Sequence, residues 1–194
     1  AGVDRGDLQL AWDFTVASAR SLSERLLHMR DDAFDQLGDD APAFTVDEVI
    51  RRARAFEPLD LAWFEEPLPA EDLGGHVRLA ASTALPIAVG ESIYSLSHFR
   101  EYLQRAGCSI VQSDVARIGG ITPWLKAAHL AEAFNMPICP HFLMELHVGL
   151  TAAVPNGRWV EHIPQLDDLT LAAMRIEEGH AVPSPEPGLG IAWD

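Results

Sequence analysis

Lysine is almost missing from this chain of 194 residues: Lys126 is the only one. Any chemistry that needs a lysine base therefore has a single candidate. Basic residues as a class are outnumbered, 14 Lys and Arg against 29 Asp and Glu, for a formal charge of −15. A chain of that sign repels nucleic acid and anionic membrane surfaces at long range, which excludes a nucleic-acid role. Cysteine is sparse too: Cys108 and Cys139 stand at strand positions without metal-ligand spacing and read as buried core thiols. No apolar run approaches the roughly 18 residues of a membrane-crossing helix, and Ala1 to Asp7 have neither a basic start nor an apolar stretch. A cytoplasmic location is the expectation. The chain also lacks an initiating methionine, which suggests a processed or excised piece.

What is present is ordinary globular material, 48% hydrophobic and 22% charged, enough to bury a core as one domain. Its most informative stretch is Leu61-Ala62-Trp63-Phe64-Glu65-Glu66-Pro67, a short apolar run ending on two carboxylates and a proline. The same pattern recurs downstream. Apolar runs end on Glu65, Glu91, Asp114, His141 and Glu161, at intervals of 26, 23, 27 and 20 residues. A short strand, two loops and a crossover helix occupy about that much chain, so the interval is that of a βα unit.

Strands are expected at 61–64, 86–89, 109–112, 137–139 and 159–160, with helices over 70–82, 95–105, 119–134 and 145–153 between and after them. The strands are near-continuous apolar runs, as expected when helices cover a sheet or the sheet closes into a barrel. Residues 1–42 read differently, as a strand over 8–16 and a helix over 17–37, followed by the breaker Gly38-Asp39-Asp40-Ala41-Pro42. A further helix opens at Thr45 and runs to about Phe56. After Gln165 the rhythm fails, and Gly and Pro clusters around Met174-Arg175-Ile176 and Ile191-Ala192-Trp193 read as a terminal β-hairpin or meander. The fold class is therefore a parallel α/β one.

In such folds the ligand site lies beyond the carboxyl ends of the strands. Two carboxylates brought together there, Glu65 and Glu91, repel unless a cation separates them, and oxygen-only ligands suit Mg²⁺ better than zinc. Asp114 and His141, one strand apart, suit a general base: the carboxylate fixes the tautomer of the imidazole and raises its basicity. Glu161, if kept protonated, would donate a hydrogen bond to a developing oxyanion. Together these groups suit removal of a proton next to a carboxylate, with the metal stabilising the enediolate. His147 is expected at the helix–barrel interface or the pocket rim, and Gly119-Gly120 is read equally as an anion cradle or as close packing.

Six segments taken in order, Trp63-Phe64-Glu65-Glu66-Pro67-Leu68, Pro86-Ile87-Ala88-Val89-Gly90-Glu91, 113–122 (SDVARIGGIT), Pro140-His141-Phe142, Trp159-Val160-Glu161 and Pro187-Gly188-Leu189-Gly190-Ile191, resemble consecutive signatures of the enolase superfamily, in its mandelate racemase branch. The resemblance covers residues 43–194. It implies the C-terminal strands of a partial (β/α) TIM-type barrel, with residues 1–42 as an unmatched N-terminal segment. It further implies Glu65 and Glu91 as Mg²⁺ ligands, Asp114 and His141 as the base dyad, Glu161 as electrophilic helper, and Glu66 as a supporting acid. A third metal ligand is expected in an Asp-Ala-Asn-type motif, and Asp40, in Asp40-Ala41-Pro42, is its candidate. The segment from Pro140 to His147 is most similar to dehydratases of sugar acids, aldonates or aldarates. A lysine pair expected on an earlier strand has no counterpart. Three readings stay open: an Mg²⁺-dependent sugar-acid dehydratase or racemase; a catalytically silent partial barrel, as a fragment, a pseudo-enzyme or an assembly module; and a different βα enzyme using His141 and Asp114 without metal. An open barrel would expose strand edges and an apolar helix face, which favours pairing with another copy, a homo-oligomer.

Overall fold

The structure, a computed structural model, describes residues 45–164, 166–171, 174–189 and 191–192. The chain divides into two compact units, Ala1–Ala43 and Phe44–Asp194, and every described residue lies in the second. The expected strand and helix before residue 38, and Asp40 with them, fall outside the described residues.

Helix α1, Val46–Phe56, opens where its chemistry dictates: the Thr45 side chain accepts from the N–H of Glu48, and Asp47 and Glu48 place negative charge in the first turn. Its buried face carries Val49 and Ala53. Then the repeat begins. Strand β1 (Phe64–Glu65), α2 (Leu73–Ala80), β2 (Ile87–Val89), α3 (Leu96–Gln104), β3 (Ile110–Val111) and α4 (Ile121–Ala133) alternate, followed by α5 (Met144–Ala152). Asp72 and Ser95 cap α2 and α3 by accepting from N–H groups in the first turn. Two glycines in the left-handed region, Gly119 and Gly120, lead the chain into α4.

The strands lie in the order β1-β2-β3, all parallel, with Phe64 opposite Ile87 and Ala88 opposite Ile110. Single parallel bridges continue the series, Val111 to Ile138 and Ile138 to Gly157. Spatial order thus equals chain order over five passes, as in the wall of a TIM-type barrel and unlike a doubly wound sheet, where the order reverses. Helices and sheet bury a main core that includes Leu79, Ile87, Val89, Phe99, Tyr102, Val111, Trp124 and Ile138, and in a second, smaller cluster Ala88, Ile110 and Cys139 pack with Trp63.

The last two passes are the weakest in regular structure. Ile138 alone bridges where a strand over 137–139 is expected, and the fifth pass pairs through 156–158 in place of 159–160: Asn156 accepts from the N–H of Ile138, and the N–H of Arg158 donates to Ile138. The side chain of Asn156 explains the position, since its Nδ2 donates to the carbonyls of Ala128 and Met136 and ties the chain down there. Trp159 is left 65% exposed. The terminal hairpin forms, but Arg175–Glu177 (β4) pairs with His180–Val182 (β5) through the tight turn Glu178-Gly179, both residues at positive φ.

Candidate functional site

Each strand-end group is aimed by local backbone. Ile110, Gln112 and Asp114 alternate along one face of the third pass, so Gln112 and Asp114 point the same way. Asp114 is 2% exposed, and its Oδ1 accepts two backbone N–H groups, from Ala116 at 2.7 Å and Arg117 at 3.1 Å. That leaves Oδ2 for His141, whose Nδ1 lies 2.9 Å away. A buried carboxylate satisfied in this way is held in one orientation.

The other ring nitrogen of His141, Nε2, lies 3.1 Å from Oε2 of Glu91. Glu91 also takes Arg117: Nη1 donates to its Oε1 at 3.2 Å and to its backbone carbonyl at 3.1 Å. Arg117 Nε stands 3.9 Å from Asp114 Oδ2. Glu91, Asp114, Arg117 and His141 therefore form one network at the ends of three consecutive passes.

Glu65 lies one strand further along. Its Oε2 accepts from Trp63 Nε1 at 2.9 Å and from Gln112 Nε2 at 2.8 Å. Glu66, which follows at positive φ, turns its Oε1 onto the N–H groups of Gly90 at 3.2 Å and Ser92 at 3.1 Å. It braces the loop that carries Glu91. Glu161 accepts from the N–H of Phe142 through Oε2 at 2.6 Å, so the fifth expected residue touches the residue next to His141.

Phe142 and Leu143 are both left-handed, at φ 53° and 32°. Such a conformation costs a bulky L-residue about 1–2 kcal/mol and persists where neighbours over-determine it. Here the Glu161 carboxylate holds the Phe142 N–H, and His147 Nδ1 lies 2.6 Å from the Phe142 carbonyl. Burial, the main cause, pushes His147 down to about 4.

The structure thus joins Glu91, Asp114 and His141 directly, sets Glu161 on the N–H of the residue after His141, bonds Glu65 to Trp63 and Gln112, and leaves Asp40 undescribed. The two described candidate metal ligands, Glu65 and Glu91, are carboxylates open to water in part, a donor chemistry that fits a hard divalent cation. Among the described residues no group of three or more His, Cys, Asp and Glu side chains is arranged to hold a metal ion. Lys126 lies on the exposed side of α4. The sequence places His147 at the helix–barrel interface or the pocket rim and assigns Gln112 and Arg117 no role, although a glutamine in an otherwise apolar strand is a usable signal.

A family model described as Enolase C-terminal domain-like matches residues 11–194, reaching back into the segment that the motif series leaves outside. Over 160 residues the chain is 36% identical to the L-talarate/galactarate dehydratase of Salmonella typhimurium strain LT2, covering 82% of this chain and 40% of that protein. It is 42% identical over 161 residues to a D-galactonate dehydratase of Ralstonia pickettii, covering 75% and 41%. Among solved structures, an L-talarate dehydratase from Polaromonas sp. JS666, complexed with Mg and L-glucarate, matches with a TM-score of 0.75 at 36% identity, over 88% of this chain and 48% of that one. A racemase from Streptomyces coelicolor A3(2) with bound magnesium matches with a TM-score of 0.74 at 30% identity, over 93% and 57%. The chain spans about half the length of the relatives it matches.

Proposed function

Because the chain belongs to the enolase C-terminal domain-like family, we propose that it forms the strand-end half of an Mg²⁺-dependent site that removes the proton alpha to the carboxylate of a sugar acid, leading to dehydration or racemisation. The observation that carries this reading is the imidazole of His141, set with Nδ1 on the buried Asp114 carboxylate and Nε2 facing Glu91. Sugar-acid dehydratases among the relatives support the substrate class.

Asp114 acts by orientation. With Oδ1 fixed by two backbone N–H groups, Oδ2 holds the His141 ring through Nδ1 and directs Nε2, which lies 3.1 Å from Glu91 Oε2, into the site as the atom that would take up the substrate proton. Glu65 and Glu91, with Asp40 as the candidate third carboxylate, would hold the metal. Bound there, Mg²⁺ would supply Lewis-acid stabilisation of the negative charge that develops on the substrate carboxylate. If protonated, Glu161 would keep Oε2 on the Phe142 N–H and donate a hydrogen bond from Oε1 to that charge. Arg117 ties Glu91 to the Asp114 turn and so keeps metal carboxylate and base in one register.

A second reading is a catalytically silent partial barrel, motivated by the lack of a counterpart to the expected lysine pair in this sequence. One experiment separates the two: the folded chain is incubated with a panel of aldonates and aldarates in Mg²⁺ or in EDTA, and 2-keto-3-deoxy product is measured. Turnover in Mg²⁺ that stops in EDTA is the expected result. A folded chain that turns over none of the panel would refute the enzyme reading.

A further inference from the structure

We infer that His147 is a positioning residue that locks the Asp114–His141 dyad, working only as the neutral imidazole with its proton on Nδ1. This role rests on the proposed function, since it presupposes that the dyad is the base.

His147 projects from the first turns of α5 and is fully buried, at 0% exposure. Both of its ring nitrogens are engaged by backbone, and each partner permits only one protonation state. The group facing Nε2 is the N–H of Val115 at 3.1 Å, a donor, so Nε2 must accept. The group facing Nδ1 is the carbonyl of Phe142 at 2.6 Å, an acceptor, so Nδ1 must carry the proton. Val115 directly follows Asp114, and Phe142 directly follows His141. One ring therefore clamps the two backbones that carry the dyad, beyond the point where the Val111–Ile138 bridge has stopped joining their strands.

Trp124 completes the clamp from the other side. Its Nε1 donates to the carbonyl of Ser113 at 2.9 Å, and its ring lies 5.9 Å from that of His147, tilted by 37°. Asp114 is thus pinned through the residue before it by Trp124 and through the residue after it by His147. On the other strand, Phe142 is at positive φ, and among the described residues its backbone takes two side-chain partners, Glu161 on its N–H and His147 on its carbonyl. Protonating His147 would turn Nε2 from acceptor to donor against the Val115 N–H. Burial opposes that protonation, and the charged and titratable groups it interacts with most, Asp114 and His141, act in opposite senses.

The test is nuclear magnetic resonance on the ¹⁵N-histidine-labelled chain, followed by kinetics. In the wild type His147 should show a protonated Nδ1 and an unprotonated Nε2 at neutral pH, and the His141 Nδ1 proton bonded to Asp114 should appear far downfield. In His147→Phe, which removes both clamps but keeps a ring against Trp124, that downfield proton should be lost to exchange. Turnover should show kcat lowered about 100-fold, as expected for a misplacement near 1 Å, with KM within about twofold. A folded His147→Phe chain that keeps the downfield proton and the wild-type kcat would overturn the role. So would the opposite tautomer, or a cationic His147, in the wild type, and this measurement stands even if the variant does not fold. A wild type that turns over no sugar acid would refute the proposed function, while the tautomer and the downfield proton would still decide the clamp.

Discussion

Gly90 is the position in the site with the least room. It lies between the last residue of β2 and Glu91, at φ 155°, and a Cβ built there would stand 2.5, 2.6 and 2.8 Å from the backbone carbon, nitrogen and oxygen of Gln112. None of these atoms belongs to a side chain that can turn away, so Gly90→Ala must part the second and third passes. Overpacking of this kind costs about 1–3 kcal/mol. Two bonds flank the position, Gln112 N–H to the Val89 carbonyl across that gap at 2.8 Å and Gly90 N–H to Glu66 Oε1 toward the first pass at 3.2 Å. Weakening both adds about 0.5–1.5 kcal/mol each, for a total of about 2–6 kcal/mol. At about 2–4 °C per kcal/mol for a unit of this size, the midpoint of that range lowers Tm by roughly 8–16 °C. Gly149, inside α5 with nothing within 4 Å of its built Cβ, is the matched control. Gly149→Ala should be neutral or stabilising by up to about 1 kcal/mol. Thermal and urea denaturation of the pair decide it: a Gly90→Ala chain as stable as Gly149→Ala would refute the close packing of the strand ends.

Acid should destabilise the fold before its carboxylates titrate. His147 is held down to about 4 and His76 is also lowered, both chiefly by burial. Each is neutral when folded and ordinary when unfolded, so their contribution is complete above about pH 6.5 and is lost as pH falls toward 4, with His147 alone worth about 3 kcal/mol. Urea denaturation at several pH values should show proton uptake on unfolding across that window; stability independent of pH there would contradict it. Tyr102→Phe should cost about 1–3 kcal/mol in the same assay, because its buried hydroxyl donates to the Ala70 carbonyl at 2.8 Å and meets His76 Nδ1 at 3.0 Å. An unchanged midpoint would show that this network carries no stability.

The site was legible where chemistry repeats at a fixed interval. Glu91, Asp114 and His141 meet because each ends a strand of one parallel series, and the sequence shows that series as apolar runs ending in polar groups. Thr45 as a cap and the helix to Phe56 were equally readable, since a side-chain acceptor before an amphipathic run is a local signal. The fifth pass was misplaced by two residues because its position is set by Asn156 reaching the carbonyls of Ala128 and Met136, contacts 28 and 20 residues distant in the chain. His147 was readable as an interface residue but not as a clamp, because its partners are backbone groups of Val115 and Phe142 and no side-chain pattern announces them. The terminal hairpin was legible from its Gly and Pro clusters, and its strand pairing is set by the two-residue turn Glu178-Gly179 between Arg175–Glu177 and His180–Val182.

In the proposed reaction His141, oriented by Asp114, removes the proton alpha to a sugar-acid carboxylate. The most direct test of this step is exchange of that proton in deuterium oxide, followed by proton NMR on an aldarate or aldonate with Mg²⁺ present, for the wild type and for His141→Asn. Asparagine keeps a donor for Asp114 where Nδ1 stood and removes the Nε2 base. Wash-in of deuterium at the alpha carbon with the wild type, abolished in His141→Asn, is the predicted result; exchange at the wild-type rate in His141→Asn would contradict it.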